Sequence, residues 1–200
     1  MNHPSFAGVD SVPPALPDIG GLLAAPATVA LTADGAVLTV TVDAPWRASE
    51  ITRRLGALGV TSVITTEPDG LRVHTEPAAS LVALVDRWTR DGTKHVPDDW
   101  VPGPGALRLW FVASGHMEVD GVRYVLGLDP ESPATFPSLA RALMRAGIAP
   151  TLVSPHDGRP GLWVSGARRL GHLAERLGAP PDDPAARAIW PHEQHPERHM

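Results

Sequence analysis

The chain has 200 residues, 43% of them hydrophobic, which supports one large domain or two small, intimately packed ones. It has no cysteine, excluding disulfides and thiolate metal sites, and its net charge of −5 argues against a strong electrostatic grip on nucleic acid. No apolar run approaches a membrane span, and the opening MNHPSFAGVDSVPP lacks the basic start and apolar centre of a signal peptide, so a cytoplasmic location with no membrane partner is expected. With 22 Pro, 19 Gly and Lys94 as the single lysine, the composition is that of a GC-rich genome.

Residues 1–15 are Pro- and Gly-rich and are expected to be disordered. LPDIGGLLAA (16–25) reads as a helix with Pro17 near its start, where proline is tolerated. ATVALT (27–32), Asp34-Gly35 and AVLTVTV (36–42) form a hairpin pattern, since Gly accepts the positive φ of a tight turn. Asp43-Ala44-Pro45 follows, then a helical stretch with Ile51, Leu55 and Leu58 on one face and Gly59 past its end. A second hairpin, TSVITTEP-DG-LRVHT, turns at Asp69-Gly70, and a closing helix over 77–90 turns Leu81, Leu84, Val85 and Trp88 inward. GTKHVPDDWVPGP (92–104) reads as a stiff linker, bracketed by Trp88 and Trp100, which pin it to the core.

The same order then recurs, with turns at Asp120-Gly121 and Asp157-Gly158 after shifts of 86 and 88 positions. GALRLWFVAS (105–114) takes the front position, HMEV and VRYVLGL flank the first turn, and Asp129-Pro130 ends the outgoing strand. Leu139, Leu143 and Met144 line the middle helix, Ala146-Gly147-Ile148 closes it, and APTLVSPH-DG-RPGLWVS is the second hairpin. A helix over 167–178 places Leu170, Leu173, Ala174 and Leu177 inward. Residues 179–200 read as an unstructured Pro- and His-rich tail; Pro191 and Pro196 keep His192, His195 and His199 from sharing a helix face, so no metal site is expected there.

The fold class is therefore α+β, an internal duplication of an α-β-β-α-β-β-α unit over 16–91 and 105–178. LRLWFVASGHMEV also fits one long buried strand, which would make each copy an ordinary ferredoxin-like unit; Pro26 and Gly115 interrupt the two runs at corresponding places and favour helix.

That order resembles the LAGLIDADG homing endonucleases over roughly 16–178, with LRLWFVASG (107–115) and DIGGLLAAP (18–26) under the family signature and Gly20 at its small position. FVASGHMEV followed by RYVLGLD is similar to the degraded copy in WhiA-type regulators. The resemblance implies front helices packed at a pseudo-twofold axis within one pseudo-dimeric chain, and two sheets forming a saddle for DNA. It also implies that each signature should end in a metal-binding acid, where this chain has Ala25 and Ser114. Neither supplies a charged oxygen for a hard cation, so no catalysis, metal or cofactor is expected, Glu118 and Asp120 lying downstream on a strand and its turn.

Strand alternation names the saddle face. Leu71, Val73 and Thr75 point to the helices and Arg72, His74 and Glu76 away; Leu162 and Val164 point in and Trp163 and Ser165 out. Thr39, Thr41, His116, Glu118, Arg123, Val125 and Gly127 join the outward set. Arg53, Arg54, Arg141, Arg145, Arg168 and Arg169 read as a solvated helix face. The expected function is a catalytically inactive regulatory or accessory module binding nucleic acid weakly through Thr39, Thr41, Arg72, His74, His116, Arg123, Trp163 and Ser165. The alternative is a structural or protein-interaction module using that face, with Trp163 as its anchor.

Overall fold

The computed structural model describes residues 13–118, 122–153 and 159–191; the turns at 120–121 and 157–158 and the histidines of the tail lie outside the described residues. A 3-10 turn, Leu16–Ile19, leads into α1 (Gly20–Ala24). β1 (Ala27–Thr32), β2 (Gly35–Val42), α2 (Pro45–Ala57), β3 (Ser62–Glu67), β4 (Gly70–Thr75) and α3 (Ala79–Trp88) complete the first unit. A short hairpin, β5 (Thr89–Arg90) and β6 (Thr93–Lys94), opens the connection. The second unit runs through α4 (Pro104–Ser114), β7 (Gly115–Met117), β8 (Arg123–Gly127), α5 (Phe136–Arg145), β9 (Thr151–Val153), β10 (Gly161–Ser165) and α6 (Ala167–Leu177), and α7 (Pro184–Ile189) follows. Each unit holds one antiparallel four-stranded sheet, ordered β1-β2-β4-β3 and β7-β8-β10-β9, so corresponding strands hold corresponding places.

The segment 105–114, ambiguous in sequence, is helix: α4 is buried on every side from Ala106 to Ala113, which explains its lack of amphipathic period and removes the ferredoxin-like alternative. α1 is short because two glycines open it, and Gly21 is there for packing. A Cβ on Gly21 would lie 1.8 Å from the Ala106 carbonyl oxygen, so α1 and α4 meet backbone to backbone. One continuous core spans both units. It joins Leu38, Val40 and Val73 to Ile51, Leu55, Leu81 and Val85, and Leu126, Leu162 and Val164 to Leu139, Leu143, Leu170 and Leu173. Met144, expected inward, is 56% exposed, because the apolar stripe of α5 runs through Leu139, Ala142 and Leu143 and leaves Met144 outside it.

The Asp-Gly turns differ in detail from the expectation. Thr32 pairs with Gly35 and Glu67 with Gly70, so the two-residue loops are Ala33-Asp34 and Pro68-Asp69, and each Gly enters the next strand at φ 142° or 144°. Among the described residues the tight turn with two positive φ values is a fifth Asp-Gly, Asp91-Gly92 (φ 52° and 74°), between β5 and β6, where the sequence reads the end of a helix at 90 and the start of a linker at 92. The rest of the linker is pinned as expected: the Trp100 ring lies 4.9 Å from that of Trp88, edge to face, and 6.2 Å from that of Trp110.

The segment after 178 is not a free tail through residue 191. Asp183 caps α7 by accepting from the backbone N–H groups of Ala185 and Ala186. Trp190 is buried against Phe111 at 5.1 Å, donates from Nε1 to the Gly178 carbonyl (2.7 Å), and its own carbonyl accepts from the Tyr124 hydroxyl. A tryptophan near the C-terminus of a Pro-rich stretch was the available signal for this anchor.

Candidate nucleic-acid interface

On the first sheet the face away from the helices carries Thr39 and Thr41 of β2 against His74 and Arg72 of β4, in register. Val63 and Thr65 of β3 flank the same two residues on the other side. Arg72 is half exposed and its Nη1 donates to Glu67 Oε1 at 3.2 Å, so its charge is shared with an acid three strand positions from Ile64 on the edge. Thr75 faces inward as expected, and its Oγ1 accepts the Leu38 N–H where the β2–β4 ladder ends.

The second sheet places His116, Val125, Trp163 and Thr151 in one row across β7, β8, β10 and β9, with Ser165 opposite Arg123. The Arg123 guanidinium stacks over the Trp163 ring, 4.2 Å from its centre, presenting a cation and an aromatic surface together. His116 is exposed, 3.6 Å from Glu118. Val125 shares this face yet is only 3% exposed, covered between its cross-strand neighbours, and Gly127 is covered by Ser114, whose Cβ lies 2.8 Å from where a Gly127 side chain would begin. Val125 is therefore on the expected face but closed to a ligand, and Gly127 there is half-buried.

Ala25 is fully buried, and Ser114 spends its hydroxyl on the Trp110 and Gly127 carbonyls. What reaches the ends of α1 and α4 is a pair of cations, Lys94 at the Ala25 carbonyl and Arg47 at the Val112 carbonyl, each paired with an aspartate, Asp129 (2.7 Å) and Asp43 (2.9 Å). Burial pulls Lys94 and Arg47 below their ordinary pKa values, and the partner aspartate opposes that fall in each case. These residues do not fit a divalent metal ion.

Sequence reasoning missed the buried charges entirely. Arg108, inside the apolar run of α4, meets Glu50 of α2 at 3.2 Å, donates to the Leu177 and Ala179 carbonyls, and lies over the Trp190 ring. Glu50 also accepts from Arg53 and Arg54; burial alone would raise its pKa, but these hydrogen bonds and the charges of Arg54 and Arg108 hold it down to about 2. Arg54 thus belongs to a partly buried cluster, and Arg145 donates to the Asp98 and Trp100 carbonyls and holds the linker, so neither is part of a merely solvated face. The signal for Arg108 was present: a charge within an otherwise apolar helix needs a buried partner.

No protein-family model and no curated protein sequence matches the chain. Several solved structures do. The homing endonuclease I-WcaI, bound to its DNA recognition sequence, aligns with a TM-score of 0.61 at 11% identity over 80% of this chain and 78% of its own. The N-terminal LAGLIDADG domain of DUF199/WhiA aligns with a TM-score of 0.57 at 14% identity over 84% and 87%. Full-length DUF199/WhiA from Thermatoga maritima aligns with a TM-score of 0.58 at 11% identity over 86% of this chain and 57% of that one. With the sheet orders and the packed front helices, these likenesses give the architecture its name: the chain has a LAGLIDADG-like fold.

Proposed function

We propose that this protein is a catalytically inactive LAGLIDADG-like module that binds nucleic acid through its saddle, in a regulatory or accessory role in the cytoplasm, as one chain supplying both units. The observation that carries this reading is the half-buried Arg123–Trp163 stack on the sheet face away from the helices, flanked by His116 and Ser165. A flat aromatic surface backed by a guanidinium suits an unpaired base stacked on the indole and a phosphate beside the cation. That I-WcaI carries its DNA on the same fold supports the choice of partner. The inactive reading is supported by Ala25 and Ser114, which offer a metal no carboxylate.

Fluorescence anisotropy with labelled single-stranded and duplex oligonucleotides, from low to moderate salt, tests the binding. Affinity should be weak, fall steeply with salt, and drop on Trp163→Ala. Undetectable binding at low salt overturns the reading. The protein should also leave plasmid DNA intact with Mg²⁺ or Mn²⁺; nicking that disappears in Glu118→Gln or Asp120→Asn would overturn the inactive assignment.

A second reading rests on a different observation. Leu31, Val63, Ile64 and Leu152 stand 41% to 57% exposed on β1, β3 and β9. Apolar strand surface of this kind suits a protein partner, and binding to nucleic acid that fails at every salt would favour it.

A further inference from the structure

Each front helix ends against a buried cation delivered from elsewhere in the chain. At the end of α4 the cation is Arg47 of α2, whose Nη1 donates to the Phe111 (3.2 Å) and Val112 (2.8 Å) carbonyls and whose Nη2 donates to that of Gly115. At the end of α1 it is Lys94 of β6, whose Nζ donates to the Ala25 carbonyl (3.0 Å) and to Asp129 Oδ2 (2.7 Å). The aspartates hold matching places, each just past the second strand of its unit, Asp43 after β2 and Asp129 after β8. The arrangement is crossed. Arg47 of the first unit, paired with Asp43, caps the front helix of the second, and Asp129 of the second holds the lysine that caps the front helix of the first.

The oxygens at these two points are a cation-binding set in their own right. Carbonyls at a helix C-terminus carry the negative end of the helix dipole and have lone pairs to spare beyond the backbone bonds that Phe111 and Ala25 already accept, and at the end of α1 the Asp129 carboxylate shares its cation with the Ala25 carbonyl, a set of oxygens of the kind hard cations prefer. We propose that Lys94 and Arg47 are tethered cations that permanently fill the oxygen-lined ends of the two front helices, so that the fold satisfies there, with its own side chains, the positive charge that a divalent ion would otherwise supply. The inference is independent of nucleic-acid binding. A second cation is kept out by occupancy and by repulsion from the first. Asp129 is organised around its ion as a metal ligand would be, with Oδ1 accepting the Glu131 N–H and Oδ2 also accepting the Ser132 hydroxyl.

The test is chemical rescue in the full chain, followed by thermal melting in chelator, in millimolar Mg²⁺ or Mn²⁺, and in propylammonium. Lys94→Ala leaves Asp129 buried without its partner and should lower Tm by roughly 6–20 °C for a protein of this size. Mn²⁺ or propylammonium should restore part of that loss, and neither should move the wild type. Lys94→Ala combined with Asp129→Asn removes both charges and should melt above Lys94→Ala while ignoring the added cations; this comparison holds even if the single variant is too unstable to purify without them. Wild type stabilised by Mn²⁺ as strongly as the variant, or a Lys94→Ala protein that no added cation stabilises, overturns the proposal.

Discussion

The front helices of the two units are unequal, five residues in α1 and eleven in α4. Because the sheets share one strand order, the difference lies in what each half contributes: β1 to β4 supply a long, threonine-rich surface whose one arginine, Arg72, is matched by Glu67, and α4 supplies the axis on which both units pack. The second sheet carries the aromatic and cationic pair. The two units share a strand order but set different side chains on the outward face, so under the proposed function a ligand should feel the second half more.

The largest expected effect is on the helix contact that joins the units. Gly21→Ala drives a Cβ into the Ala106 backbone, which cannot swing aside, and should cost about 3 kcal/mol in urea unfolding. The nearest atoms to a Cβ added by Gly105→Ala on the opposite helix are those of the Asp18 carboxylate, a movable group, and the change should cost about 1 kcal/mol. Equal losses would show that the two helices are not packed asymmetrically.

Glu50 sharpens the comparison from the side of charge, since it joins α2 of the first unit to Arg108 of the second. Its carboxyl is depressed to about 2, so its contribution is fully present above the ordinary unfolded carboxylate value of roughly 4.3 and is lost as pH falls toward 2. Glu50→Gln should lower stability at pH 7 by about 2–3 kcal/mol and flatten the acid limb of the stability–pH curve between those values. A variant curve parallel to wild type would contradict the cluster.

Smaller effects should appear in binding. Trp163→Ala should cost on the order of 1–3 kcal/mol with single-stranded probes. Arg123→Ala and Arg72→Ala together should reduce the salt slope by about two units if each meets one phosphate. Glu67→Gln, by releasing Arg72 from its ion pair, should raise affinity several-fold, an effect absent when Arg72 is already alanine and absent for Glu175→Gln on α6. Met144→Ala, on an exposed face, should change stability by less than about 0.5 kcal/mol.

Much of this architecture was legible because hydrophobic period and turn residues report on local structure. β1 begins and ends where alternation places it, and the outward set on β4 and β10 follows from a period of two. The long-range partners of the buried charges were not legible, because Lys94 and Arg108 find theirs 35 to 71 residues away and Arg47, beyond its local pairing with Asp43, meets carbonyls 64 to 68 residues away. Arg72 illustrates the same limit within the saddle: alternation orients its side chain but says nothing of Glu67 beside it. The docking of Trp190 was hidden by the Pro-rich stretch around it, whose composition argues for disorder while one large aromatic offers enough burial to hold it.

The saddle's preference for its second half is tested most directly by anisotropy titration of one labelled single-stranded oligonucleotide at low salt, comparing Arg123→Ala/Trp163→Ala with Thr39→Val/Thr41→Val. Loss of most of the binding in the first variant, with the second within about threefold of wild type, is the predicted result. Equal losses from both variants, or wild-type protein that does not bind, would contradict it.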